Sequence, residues 1–329
     1  MNTRKITYGG VYTAMIIALG LTIFYITGTM GLQFYADMAC PILIGVLSII
    51  CGTKVATIGG GIATLLVMFY TGDFISTICM LQSLFIGVAT AKLITSDTTI
   101  MDDILISALI GVFVMLAFDV VTATLFDISV LDTDDMTKAV ADMLGGSQQM
   151  LDFALYLAVA SIPIGTVIIS YIGIMFIVNR LGIRVEENQG KRKIKLTKDF
   201  RKIYPYCYLS RGVNTACIVM IAIEGLLLPY VTAKYPSAFI YVSIIVIGYF
   251  VLMDYFKLIS YHMVMSKRPA GASALLKLSM IGVMCMNIIV GLAFVIVSGL
   301  VIDKKQNYRK KTKELLQGIG ISRRFKEVR

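Results

Sequence analysis

The residues of this chain best placed to do chemistry are ionisable groups inside long apolar stretches. A charge in hydrocarbon is costly, so it faces a partner, a cavity or a polar rim and marks a functional position by default. Glu224 lies deep in one such stretch with no counter-charge nearby in sequence. Asn214, near the start of the same stretch, and Asn287 in the last one are its candidate hydrogen-bonding partners or simple packing glue. A proton-coupled carrier built on Glu224 is one reading of this pattern. Asp254 and Lys257 stand three residues apart, a spacing that puts them on one helix face and favours mutual neutralisation over function. Asp119 falls late in its stretch, where it serves an outward-facing ligand site or reaches outer water.

Enzyme signatures are missing. The chain has one histidine, His262, so the HExxH pattern of a metalloprotease is excluded, and no serine stands in a GxSxG setting to partner that histidine. There is no GxxxxGK[ST] phosphate loop. The six cysteines show no CxxC or zinc spacing, and most lie in apolar runs, where cysteine behaves as a small hydrophobe. We therefore expect no enzyme, no catalytic residue, no cofactor and no metal. Any ATP hydrolysis must come from other proteins.

Three other patterns bear on recognition. Gly10, Ala14 and Ala18 repeat at four-residue spacing, a small-residue face that lets another helix approach closely, either inside the bundle or from a partner. Gly59-Gly60-Gly61 opens another apolar run and signals tight helix packing or a break around a ligand, the former being favoured. The connection Thr27 to Asp37 mixes glycines and aromatics with the polar Gln33, Tyr35 and Asp37, which are candidate ligand-binding residues. Ordinary interfacial aromatics are the alternative.

The elements that position these residues follow from composition. Mean hydropathy is +0.83, with 57% hydrophobic and 15% charged residues, against about 25% charged in a soluble domain. Nine apolar runs, near 8–28, 36–52, 55–71, 74–94, 104–125, 151–179, 211–231, 238–262 and 275–302, predict an all-α, polytopic membrane helix bundle of eight or nine transmembrane helices. The net charge of +10 suits anionic lipid better than nucleic acid, because the basic residues flank the runs. Arg4 and Lys5 predict a cytoplasmic N-terminus. The acidic loop 127–149 falls outside, and the connection 180–211, with ten Lys/Arg and three acids, falls inside. The tail 303–329 carries ten Lys/Arg and is expected to be cytoplasmic, which allows eight crossings rather than nine. It predicts either a basic amphipathic helix on anionic lipid or a solvated topological anchor. The expected organisation is a membrane bundle over 1–180, a basic connection over 181–210, further transmembrane helices over 211–302 and a basic tail over 303–329.

Order adds what single motifs lack. The small-residue first helix, two short spans around Cys51-Gly52-Thr53-Lys54, a sixth span ending Asn179-Arg180-Leu181-Gly182, and Asp199-Phe200-Arg201-Lys202-Ile203-Tyr204-Pro205 before the next span follow one another in a recognisable sequence. In this order the chain resembles the YybS-like family of bacterial membrane proteins, a domain of unknown function. That family is related to the S-components of energy-coupling-factor transporters. The resemblance implies that the first six helices form an S-component-like bundle. It further implies that Ala14 and Ala18 belong to a face docking a coupling membrane subunit with its ATPases, and that Gln33 to Asp37 close over a small-molecule ligand. The chain departs from S-components in its long C-terminal extension and in lacking a vitamin-binding signature. The function expected is a transport or binding subunit for an unidentified small solute in the cell membrane. The alternative is a non-transporting scaffold whose basic loop and tail dock cytoplasmic partners or anionic lipid.

Overall fold

In a computed structural model of the chain, residues 3–29, 33–127, 129, 131, 148–182, 193, 207–265, 275, 278–279, 288–307 and 309 are described. The long elements are α1 (Thr3–Thr29), α2 (Gln33–Cys51), α3 (Thr53–Thr71), α4 (Phe74–Thr95), α5 (Ile100–Phe126), α6 (Gln148–Arg180), α7 (Arg211–Leu227), α8 (Lys234–Met265) and α9 (Ile288–Gln306). No strand occurs among the described residues. Six of these helices, α3 to α8, are long and apolar enough to cross a bilayer, and the chain is an integral membrane protein with an all-helical bundle. Side chains exposed on these helices are largely apolar, as at Ile58, Leu65 and Phe69 of α3 or Ile223 and Leu226 of α7. That distribution suits a surface solvated by lipid.

Helix ends are set by local chemistry. α3 stops at Gly72, whose φ of 63° only glycine adopts readily, and the Gly72 N–H caps the Met68 carbonyl. Asp73 then caps α4, accepting from the N–H groups of Ile75 and Ser76 and from Ser76 Oγ. Burial works against the Asp73 charge, yet these three donors together hold its carboxyl below the usual carboxylate range. At the start of α5, Thr99 and Asp102 cap each other reciprocally: the Thr99 N–H donates to Asp102 Oδ2, and the Asp102 N–H to Thr99 Oγ1.

The chain forms two compact units. The first contains residues 1–98, 103–198 and 227–246. Its helices α2 and α4 run parallel, because single short turns link them through α3. They meet at Gly45 and Gly87, where a side-chain carbon on Gly87 would come 2.6 Å from the Pro41 carbonyl oxygen. The glycine run of α3 is unbroken helix. A Cβ on Gly59 would meet Thr13 of α1 at 2.8 Å, whereas Gly61 has nothing within 4 Å. Close packing, not a break, explains Gly59 and also Gly60, whose Cβ would meet Leu84; nothing in the structure explains Gly61. The second unit contains residues 99–102, 199–226 and 247–329.

Candidate functional site

The small-residue face of α1 is exposed at each of its three positions. Gly10, Ala14 and Ala18 are all exposed, and so are the apolar side chains beside them, Val11, Met15 and Leu19. Among the described residues, nothing outside its own stretch of helix lies within 4 Å of where a Gly10 Cβ would stand. Within the chain, α1 packs on α2 and α3 through its other side, where Ile16 and Leu47 share a core cluster.

Gln33, Tyr35 and Asp37 were expected in a loop. Their backbone instead forms the first turns of α2, and their side chains lie outside the described residues. Asp119 on α5 is buried, 4% exposed, and accepts a hydrogen bond from Ser129 Oγ at 2.9 Å.

The strongest polar site in the first unit was not predicted. The Lys193 ammonium, in the basic connection, donates to the carbonyls of Leu93 at 2.9 Å and Ser96 at 2.8 Å, and to Asp103 Oδ2 at 2.7 Å. Three N–H groups thus meet three acceptors, with Thr98 Oγ1 a further 3.4 Å away. Leu93 and Ser96 close the C-terminal end of α4, where the helix dipole favours a cation; the Leu93 carbonyl also accepts from the Ser96 N–H at 3.0 Å and from Ser96 Oγ at 2.7 Å. Asp103, fully buried, is held in turn by Tyr171 Oη at 2.7 Å and by a short hydrogen bond from Thr98.

The remaining candidates belong to the second unit. Asp254 was expected to pair with Lys257. Its direct partner is Arg309, at 2.5 Å, while Lys257 Nζ lies 3.4 Å from the Cys207 carbonyl. The helix-spacing rule places neighbours on one face but cannot see a partner from another part of the chain. Arg309 also pairs with Asp303 at 2.8 Å, donates from Nε to the Leu209 carbonyl at 2.9 Å, and sits 6.0 Å over the Tyr255 ring. Asn214 donates to Tyr255 Oη at 2.9 Å. It cannot be the partner of Glu224, which stands about 15 Å further along the same helix. Glu224 itself is buried, 9% exposed, and Asn287 lies outside the described residues.

These groups surround one short segment. Residues 207–210 are non-helical, yet Cys207, Tyr208 and Leu209 are buried, so their backbone polar groups need partners from side chains. The Leu209 N–H goes to Asp254, the Ser210 N–H to Asp102, and the Tyr208 carbonyl accepts from Thr99. Asp102, Asp254 and Arg309 are thereby committed to holding this buried segment. Burial pushes the Cys207 thiol up to about 11 despite the nearby Lys257 charge, so it is an inert structural cysteine.

Sequence reasoning missed Asp102, Asp103, Lys193, Asp303 and Arg309. The acidic pair at 102–103 was a visible signal, placed just outside the apolar run beginning near 104. Among the described residues no group of three or more His, Cys, Asp or Glu is arranged to hold a metal ion. Comparison with protein-family models, with curated proteins and with solved structures finds no match to this chain.

Proposed function

We propose that the chain is the membrane-embedded binding subunit of a transport system for a small solute, docked through α1 to a coupling membrane subunit and energised by partner ATPases. The observation that carries this reading is the exposed Gly10–Ala14–Ala18 face. Small residues left uncovered on one helix, flanked by exposed apolar side chains, allow the backbone of a second helix to come close without a polar group being stranded in lipid. The chain's own lack of a phosphate-binding loop goes with this division of labour. The orientation belonging to this reading has α1 starting in the cytoplasm and the basic tail returning there after eight crossings. The resemblance to S-components and to the YybS-like family is part of the proposal.

Ala14→Leu tests it. The substituted helix faces outward, so the folded bundle should keep its unfolding temperature within a degree or two. Affinity purification from native membranes should recover a membrane subunit and two ATPases with the unchanged chain and lose them with Ala14→Leu. Recovery of the same proteins with both would end the docking role of α1.

A scaffold reading has one observation in its favour. Arg309, at the root of the basic tail, is bound by Asp254 and Asp303, which gives whatever follows a fixed mount from which to meet cytoplasmic proteins or anionic lipid. Recovery of cytoplasmic partners alone, lost when the tail's cations are neutralised, would favour this reading over transport.

A further inference from the structure

We infer that the oxygen cage around Lys193 is a monovalent-cation site, with the Lys193 ammonium as its resident and displaceable occupant. The inference is independent of whether the chain docks a coupling subunit.

Four features of the cage select this class of ligand. Its donors are hard oxygens: the carbonyls of Leu93 and Ser96, one carboxylate oxygen of Asp103, and the Thr98 hydroxyl. Hard oxygen donors suit alkali and ammonium ions rather than soft metals. There is one carboxylate against one resident charge, so a monovalent ion replaces the ammonium without leaving net charge buried; a divalent ion would leave an excess. The nitrogen-to-oxygen distances of 2.7 to 2.9 Å place the ammonium as a potassium ion of nearly the same size would sit among carbonyls. The carbonyls, finally, belong to the end of α4 and the turn after it. They are fixed by the helix rather than by Lys193, and Asp103 is fixed by Tyr171, so the cage persists when the lysine leaves.

A second observation points the same way. The hydroxyls of Ser48, Thr90, Ser107 and Ser170 are buried and have no hydrogen-bond partner among the described residues. They come from α2, α4, α5 and α6 in turn. Ser48 and Thr90 each lie three residues beyond the Gly45–Gly87 crossing of two parallel helices. Gly111 of α5 faces Ile86 of α4 and Pro163 and Val167 of α6. One turn toward the cage from that level are Thr90, Ser107 and Ser170. The next turn carries Leu93 on α4 and Asp103 on α5, and Tyr171 directly follows Ser170. By helix register the four unsatisfied hydroxyls stand about one turn from the level of the cage. Buried hydroxyls of this kind are satisfied by water or by an ion. Unpaired hydroxyls near the cage offer an entering cation or its water further oxygen ligands.

The test is thermal unfolding of the full-length purified protein in KCl, NaCl, ammonium chloride or choline chloride at equal ionic strength, for Lys193→Ala and for Lys193→Ala with Asp103→Asn. Choline is too large for the cage and serves as the reference. Lys193→Ala should be less stable than the unchanged chain in choline chloride. Potassium or ammonium should restore it with a saturable rise of about 3 °C or more, and that rise should vanish in the double variant. Equal midpoints for Lys193→Ala in all four salts would overturn the inference. If Lys193→Ala does not yield folded protein, the unchanged chain decides. Acetylation of Lys193 by an amine-reactive reagent, read by mass spectrometry, should increase at least twofold in KCl over choline chloride as potassium displaces the ammonium. Identical acetylation in the two salts would overturn the inference.

Discussion

At the scale of single residues, the most consequential contact is that between Asp254 and Arg309. Both are buried, and each is also hydrogen-bonded to the backbone of Leu209. Buried ion pairs gain little net stability over an apolar replacement, but removing one member strands the other. Arg309→Met should therefore destabilise the protein by about 3–5 kcal/mol. Asp254→Asn should cost a comparable amount, and the two together should cost clearly less than the sum. Unfolding in detergent with a denaturant series measures this cycle. Strict additivity would mean that the two side chains do not act as a pair. Sequence reasoning found Asp254 and offered Lys257, because helix periodicity reports only neighbours three or four residues away. Arg309 follows fifty-five residues later, in a tail whose composition reads as solvated or lipid-facing, and no local pattern links the two.

Among the elements, the α2–α4 crossing sets the tightest tolerance. Gly87 brings α4 against the backbone of α2, and the atom nearest to an added methyl group is a carbonyl oxygen rather than the end of a flexible side chain. Gly87→Ala should cost about 1–3 kcal/mol as the helices are forced apart. Gly61→Ala, with open space where its Cβ would stand, should be neutral or stabilise by up to about 1 kcal/mol through helix propensity. Equal effects at the two positions, measured by thermal unfolding, would remove the special status of the crossing. The elements were the most legible level of the sequence. Each apolar run is helical over nearly all of its described residues, the last of them from Ile288, because a stretch of some twenty apolar residues has few alternatives in a bilayer. The errors came at charged edges. The run drawn from 104 excluded Asp102 and Asp103, yet α5 begins at Ile100. Both carboxylates are buried because each has partners, three for Asp103 in Thr98, Tyr171 and Lys193. The loop expected through Asp37 is helical from Gln33.

For the molecule as a whole, hydropathy made the environment legible and left the chemistry unread, since the buried cations come from segments that read as polar connections. Lys193 and Arg309 each lie outside the long helices and each completes a polar cluster within its own compact unit. The order of the chain gives the second of these a consequence for biogenesis. The ribosome makes α8, with Asp254 in it, before it makes Arg309. While α8 enters the membrane its carboxylate has no guanidinium to meet, and the non-helical segment at Leu209 is held at only one of its two polar groups. The second unit is therefore assembled backward, from a late cation to an early anion, and it cannot close before Arg309 has been made and has left the ribosome.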